Sequence, residues 1–314
     1  MTTSELPPQD RFRALHVTGR DRVRFLHNFC TADLRGLSSG QAAEAFFTDV
    51  RARIVAHGYV LMLDDELQIW LLADDPQRLR THLDRYIITE DVTLTLPAAD
   101  DSLVLCPAAG TSLPGLTALE ARSCGVYSAG GASAAALCFV WNGQTLAGYC
   151  GSPAAIQTLR DDPALQSFAV PVGRLQNLRI AERFPIIGVD LTLDHLAPEA
   201  DRNTTGISFQ KGCYLGQEPI ARIDALGHVN RALRCVRLSA ANPSNAAADL
   251  SAAAVVQAEL LLPDGSMAGV LTSAAADGSD AVGLAVVRLA TASQISQART
   301  AGGQLLSATV LAGP

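Results

Sequence analysis

SFQKGCYLGQEPIAR, residues 208–222, holds the single lysine of a 314-residue chain, Lys211, two positions before Cys213 in a frame of glycines. The chain has 24 Lys and Arg residues, and every one except Lys211 is Arg. A sequence so averse to lysine uses Arg wherever a positive charge suffices. An ammonium is a compact point charge, whereas a guanidinium is a wide planar fork that stays ionised. Lys211 is therefore the candidate for a pocket that admits only a small cationic head, the alternative being a solvated surface lysine. Gly212 and Gly216 allow a tight turn or a close backbone approach, and Pro219 suits the first turn of a helix, where its missing N–H costs nothing. A thiol just ahead of a helix start, near Lys211 and Arg222, stands among fields that favour the thiolate. Cys213 is the candidate nucleophile. His228 follows downstream, but no third residue stands out to orient it, which argues against cysteine-hydrolase chemistry.

Working outward, 48% hydrophobic residues in a chain of this length are enough for a sizeable core, and the length suggests two domains. The net charge of −7 leaves no domain-wide basic field for bulk nucleic-acid binding. The start, MTTSELPPQDRFRAL, lacks an apolar core of signal-peptide length, and no long apolar run follows. The expectation is a cytoplasmic protein with no membrane partner. The seven cysteines form no C-x-x-C and no zinc-spaced Cys/His cluster, so no metal site is expected and the thiols read as reduced. Cys106, Cys138 and Cys235 sit in the apolar runs SLVLCP, AALCFVW and LRCVRL and read as buried, inert thiols. Cys30, on the helical pattern FLHNFCTADL, reads as core.

RFRALHVT alternates like a strand and DRVRFLHNFCTADLRGL has a helical stripe, followed by strand-like AEAFFTDV, RIVAHGYVLML and LQIWLLA. PQRLRTHLDRYI reads as a helix and DVTLTLP as a strand. This order predicts an α+β layer with mostly antiparallel pairing. A second strand-rich block runs from SLVLCPA to about residue 150, with a turn at SAGGASAAAL. GSPAAIQTLRDDPAL and VGRLQNLRIAERFP follow as helices, the latter ending before Pro185. Beyond the opening segment, RALRCVRLSA, AELLLPDGSMAGVLTSAA, DAVGLAVVRL and GQLLSATVLA predict a C-terminal β-barrel or sandwich, with ANPSNAAADLSAAAV as a surface excursion.

Lys211, Gly212, Cys213, Tyr214, Gly216, Gln217 and Glu218 spell K-G-C-Y-x-G-Q-E, which resembles the signature of the YgfZ-type folate-binding proteins. These are relatives of the glycine-cleavage T-protein aminomethyltransferase that act in iron–sulfur protein maturation. GRDRVRFLHNFCTADLRGLSSG, LDRYIITEDVTL, FPIIGVDLTLDHLAPEA, IARIDALGHVNRAL and DGSMAGVLTSA resemble further blocks of that family. The resemblance implies a cloverleaf of two interleaved α/β subdomains over residues 1–222 and a β-barrel over 223–314, around a folate pocket. It also implies tetrahydrofolate as ligand and iron–sulfur client proteins as partners, tRNA-modifying enzymes among them. Lys211 and Cys213 then carry the activity, with Lys211, Tyr214, Gln217, Glu218, Asp33, Arg179, Glu182, Arg222 and Arg231 as folate-binding candidates.

Two departures bear on function. The transferase carries an acidic pair where Ala56 and His57 stand here, and an aspartate of that pair serves the folate nitrogen as acid or base. This ranks a folate-dependent aminomethyltransferase as the alternative and leaves open whether the protein is an enzyme. Family members often read R-I-E-A-G-x-P before the proline. Counting back from Pro185, the pterin-binding glutamate position is Ala181. Glu182 comes one residue late, which on a helix is about 100° of rotation. Among other residues, Asp33 and Asp49 read as capping groups or ligands, Arg179 as a grip for a carboxylate or a partner of Glu182, Arg222 and Arg231 as a basic rim, and His195 and His228 as surface residues.

Overall fold

Alternating buried positions in the first hundred residues build a five-stranded antiparallel sheet. In the computed structural model, which describes residues 11–171, 173–227, 229–241 and 249–311, the chain runs β1 (Phe12–Thr18), α1 (Arg22–Phe29), β2 (Gln41–Thr48), β3 (Ile54–Met62), β4 (Leu67–Leu72), α2 (Pro76–Asp84) and β5 (Thr93–Thr95). The strand order is β2-β3-β4-β1-β5. Side chains one apart on a strand face opposite ways, and the two faces have different partners. Leu15, Val17, Phe47 and Leu71 pack with Phe25 and Leu26 of α1 and Leu79 and Leu83 of α2. Phe12, Tyr59 and Trp70 meet Phe139 and Trp141 of a second sheet, with Phe12 and Trp70 ring centroids 5.6 Å apart and Trp141 Nε1–H donating to the Tyr59 hydroxyl at 3.0 Å.

That second sheet contains β6 (Asp101–Leu105), β7 (Cys124–Ala129), β8 (Ala132–Trp141) and β9 (Gln144–Gly151), in the order β6-β9-β8-β7. Its far face is covered by α3 (Pro153–Asp161) and α4 (Pro163–Gln166) through Ile156, Leu159 and Leu165. The predicted turn at SAGGASAAAL contracts to Gly130 and Gly131, both at positive φ. The alanines on either side are strand residues, small enough to pack closely.

After α5 (Arg174–Glu182), α6 (Asn203–Gly206) and α7 (Gln217–Leu226), the chain enters β10 (Arg231–Ala240), α8 (Ala252–Val255), β11 (Glu259–Leu261), β12 (Met267–Asp277), β13 (Asp280–Arg288), β14 (Gln297–Arg299) and β15 (Leu305–Val310). These six strands close as a barrel in the order β10-β13-β12-β11-β14-β15, filled by Val236, Leu238, Leu260, Leu271, Ala285 and Leu306. The expected mixed helix-and-sheet fold with a C-terminal barrel is therefore what the sequence forms. β14 went unpredicted because three residues are too few for an alternating pattern. The excursion at 241–255 contains α8, while residues 242–248 and the opening MTTSELPPQD lie outside the described residues. By its contacts the chain forms two units, residues 1–172 with 204–217, and 173–203 with 218–314. Among the described residues, no helix is long and apolar enough to cross a membrane.

Candidate functional site

The last carbonyls of a helix have no partner within it, and the segment opening at Ser208 supplies partners for the end of α1. Lys211 Nζ donates to the carbonyls of His27 at 2.5 Å, Cys30 at 2.8 Å and Ala32 at 2.6 Å. Leu215 N–H donates to Asn28 O and Ser208 N–H to Thr31 O, both at 2.9 Å. Three carbonyls converging on one nitrogen match the three N–H bonds of an ammonium and not a planar guanidinium. A cation here also complements the negative end of the helix dipole. Lys211 is 6% exposed, and its nitrogen lies 5.1 Å from the ring centroid of Tyr214. Burial pulls the Lys211 pKa below its ordinary value and pushes the Tyr214 phenol up to about 12. Buried His27 is held below its usual range by desolvation and then by Lys211. Its Nδ1 accepts from Leu34 N–H at 3.3 Å, so the nearby Asp33 carboxylate faces a neutral ring.

The chain turns outward between these anchors, and Cys213 is the exposed thiol among the seven. Cys30, Cys124, Cys138, Cys150 and Cys235 are buried, while Cys106, expected to be buried, is only partly so. Desolvation pushes the Cys30, Cys124 and Cys235 thiols up to about 11. Iodoacetamide at pH 8 is expected to label Cys213 first and to leave those three unlabelled until denaturant is added. Equal labelling of all seven, read by peptide mass spectrometry, would contradict this geometry.

The two glycines differ. Gly216 has φ +84°, and a Cβ there would come within 2.5 Å of Thr48 Oγ1 and 2.6 Å of Asp49 O. Gly212 has open space where its Cβ would be. Gly216→Ala should lower stability by about 1–3 kcal/mol and Gly212→Ala should leave the urea midpoint unchanged. Equal midpoints for both variants would count against the close approach. α7 begins at Gln217, two residues before Pro219, with Gln217 N–H donating to Tyr214 O at 3.1 Å.

A cavity of about 630 Å³ opens in the same unit, walled by Ala32, Asp33, residues 40–44, residues 120–123 and residues 204–208. Asp33 is exposed and accepts from Arg35 N–H at 3.1 Å. Arg122 donates to Thr205 O at 3.4 Å. Glu44, 3% exposed, meets Nε2 of buried His57 at 2.8 Å. Neither Glu44 nor Arg122 stood out in the sequence. A lone acid within AAEAFF was the available signal. Asp49 organises its own loop, accepting from the N–H groups of Arg51 and Arg53.

Of the remaining candidates, Arg179, Glu182, Glu218, Arg222 and Arg231 belong to the second unit. Arg179 pairs with Asp190 at 2.7 Å, not with Glu182, which pairs with Arg202 at 3.2 Å. The reason is local. Arg183 caps α5 at φ 57°, and the chain beyond it brings Asp190 to Arg179, while Arg202 donates to Glu182. Arg231 holds both Glu199 oxygens, at 2.8 and 3.2 Å, and that bonding raises its pKa. Arg222 and Glu218 are exposed on α7, His195 is partly exposed, and His228 lies outside the described residues.

No protein-family profile matches the chain. It is 38% identical over 92 residues to the tRNA-modifying protein YgfZ of Colwellia psychrerythraea, a stretch covering 29% of this chain and 28% of that protein. It is 27% identical over 249 residues to the tRNA-modifying protein YgfZ of Yersinia enterocolitica, covering 74% of this chain and 72% of that one. The fold is shared with the glycine cleavage system aminomethyltransferase T of Bartonella henselae at a TM-score of 0.72 and 15% identity, over 96% of this chain and 83% of that structure.

Proposed function

The chain belongs to the YgfZ-type family, and on that premise we propose that it is a tetrahydrofolate-binding accessory protein that supports assembly or repair of iron–sulfur clusters in client enzymes, including tRNA-modifying ones. The observation that carries this reading is the Lys211 cage beside an exposed Cys213. The cage fixes the segment from both sides, so the thiol is presented on a rigid loop. Lys211 positions, and Cys213 acts as nucleophile or transient ligand. Phe209, 43% exposed, adds an apolar contact for a client close to the thiol.

The cavity suits the folate part of the proposal. Its volume falls within the range of small-molecule sites, roughly 300–1,000 Å³. Apolar walls from Ala32, Ala42 and Ala43 accept a flat ring, and Arg122 suits a carboxylate tail. Asp33 on the cavity wall is proposed as a direct folate contact, while half-buried Gln217 and exposed Glu218 and Arg222 on α7 are proposed on the resemblance alone. Arg179, Glu182 and Arg231 are committed to pairs within their own unit and would act by holding the backbone, as Tyr214 would through its packing on Lys211. Bound tetrahydrofolate would supply a carrier for a one-carbon unit.

The test is complementation in cells lacking the protein, scored by the activity of an iron–sulfur tRNA-modifying enzyme. Cys213→Ser should lower that activity at least fivefold while melting at the wild-type temperature. Full activity with Cys213→Ser would overturn the role given to the thiol.

A further inference from the structure

We infer that Thr31 is a positioning residue that couples the cavity to the Cys213 loop, so that a ligand seated in the cavity braces the cage around Lys211 and holds the thiol in place. The inference rests on the folate reading for the ligand's identity. It goes beyond that reading in saying how the ligand would regulate the thiol.

The cavity and the cage share their supports. Ala32 and Ser208 both line the cavity, and both hold Lys211. Ala32 O accepts from Nζ at 2.6 Å, and Ser208 Oγ accepts from the Lys211 backbone N–H at 3.3 Å. Neither Lys211 nor Thr31 lines the cavity itself. Thr31, fully buried, ties the supports to each other. Its carbonyl accepts from Ser208 N–H at 2.9 Å, and its own N–H donates to Phe46 O at 2.9 Å. Its hydroxyl donates to Gly206 O and accepts from Phe46 N–H at 2.8 Å. Every polar group of Thr31 is thus engaged, on β2 and on the turn at 206–208.

These contacts leave no slack. A Cβ on Gly206 would come 2.9 Å from the Phe46 ring, and close-packed interiors transmit a displacement instead of absorbing it. A shift of the wall at 206–208 therefore moves Thr31, and with it the flanking carbonyls of Cys30 and Ala32 that bond Lys211 Nζ. Cys213 follows Lys211 by two residues, and the far end of its loop is held where Leu215 N–H donates to Asn28 O at 2.9 Å. The hydroxyl carries the link. Valine would fill the same space but leave Gly206 O and Phe46 N–H without the group that joins them, so the two segments could part. A hydrogen-bonded network of this kind couples two sites when both bias the same element. The coupling is reciprocal: a ligand that favours the closed cage binds it more tightly by the factor with which it closes it.

Hydrogen exchange of the Leu215 amide, which lies outside the cavity lining, tests this on the reduced full chain with and without saturating tetrahydrofolate, while calorimetry reports binding. Amides of α3, in the same unit, report any general stabilisation. In wild type, tetrahydrofolate should slow Leu215 exchange at least threefold beyond any change in α3. Thr31→Val should still bind tetrahydrofolate but show less than 1.5-fold slowing, and Thr31→Ser, which keeps the hydroxyl, should restore it. A hydroxyl that served folding alone would lower stability in Thr31→Val and leave the ligand-induced slowing intact, and that result overturns the inference. Tetrahydrofolate bound by wild type with Leu215 exchange unchanged overturns the inference and spares the folate reading. That comparison needs no variant, so it decides even where Thr31→Val fails to fold. No binding of tetrahydrofolate to wild type overturns both.

Discussion

Lys211→Met is expected to lower stability by about 3 kcal/mol or more, because it leaves the carbonyls of His27, Cys30 and Ala32 buried without the donor they share. Each unpaired buried acceptor costs about 1–3 kcal/mol, and the end of α1 also loses a cation, worth a further few tenths to about 1 kcal/mol. Relief from burying an ammonium, visible in the lowered Lys211 pKa, offsets part of this. Lys211→Arg keeps the charge and should still be destabilising, since a planar fork cannot place three N–H bonds on three carbonyls converging at one point. Urea unfolding should show both variants with lower midpoints, Lys211→Met lowest. The chain has two units, so the transition that reports α1, followed by hydrogen exchange of residues 22–34, is the one to compare. A wild-type midpoint for Lys211→Arg would mean that charge alone matters there. Cys213 presentation should fail with the cage, so faster alkylation of Cys30 in Lys211→Met is a second readout.

Arg179→Met is expected to be equally damaging in the other unit, by about 3–5 kcal/mol, the range for stranding one partner of a buried ion pair. Arg179 is 1% exposed, and it donates to Asp190 Oδ2 at 2.7 Å, Phe184 O at 2.9 Å and Gln176 Oε1 at 2.9 Å. Asp190 in turn accepts from Ile186 N–H at 2.9 Å and from the hydroxyls of Thr272 at 2.9 Å and Ser273 at 2.6 Å, both on β12. One carboxylate thus ties α5, the reversal after it and the barrel wall. Removing the guanidinium leaves a charge among hydroxyl and amide donors that cannot neutralise it. Arg179→Met combined with Asp190→Asn should recover at least half of the loss, because a neutral amide needs no counter-ion. A single-variant loss below about 1 kcal/mol would place the pair in the weak class of exposed bridges.

What the sequence determined by itself is the order of strands and helices through the first sheet, the hairpins of the barrel, and the segment around Lys211 as the place where chemistry concentrates. Those readings depend on periodicity, turn residues and the rarity of one amino acid, all of which are local. The need for a small cationic head was legible for the same reason, in a chain that otherwise writes every such charge as Arg. Which groups that head would meet was not legible, for His27, Cys30 and Ala32 lie about 180 residues away. Only the tertiary structure showed that Lys211 faces inward and Cys213 outward. It also decided Arg179 in favour of Asp190, because the chain beyond the left-handed turn at Arg183 brings Asp190 to within 2.7 Å of the guanidinium, while Arg202 takes Glu182. Glu44 and His57 were separated in the reading because their meeting depends on the pairing of β2 with β3, and a one-residue slip would have sent one of them to the opposite face. Local pattern decides which element a residue joins; register and chain reversal, which no local pattern contains, decide what its side chain touches.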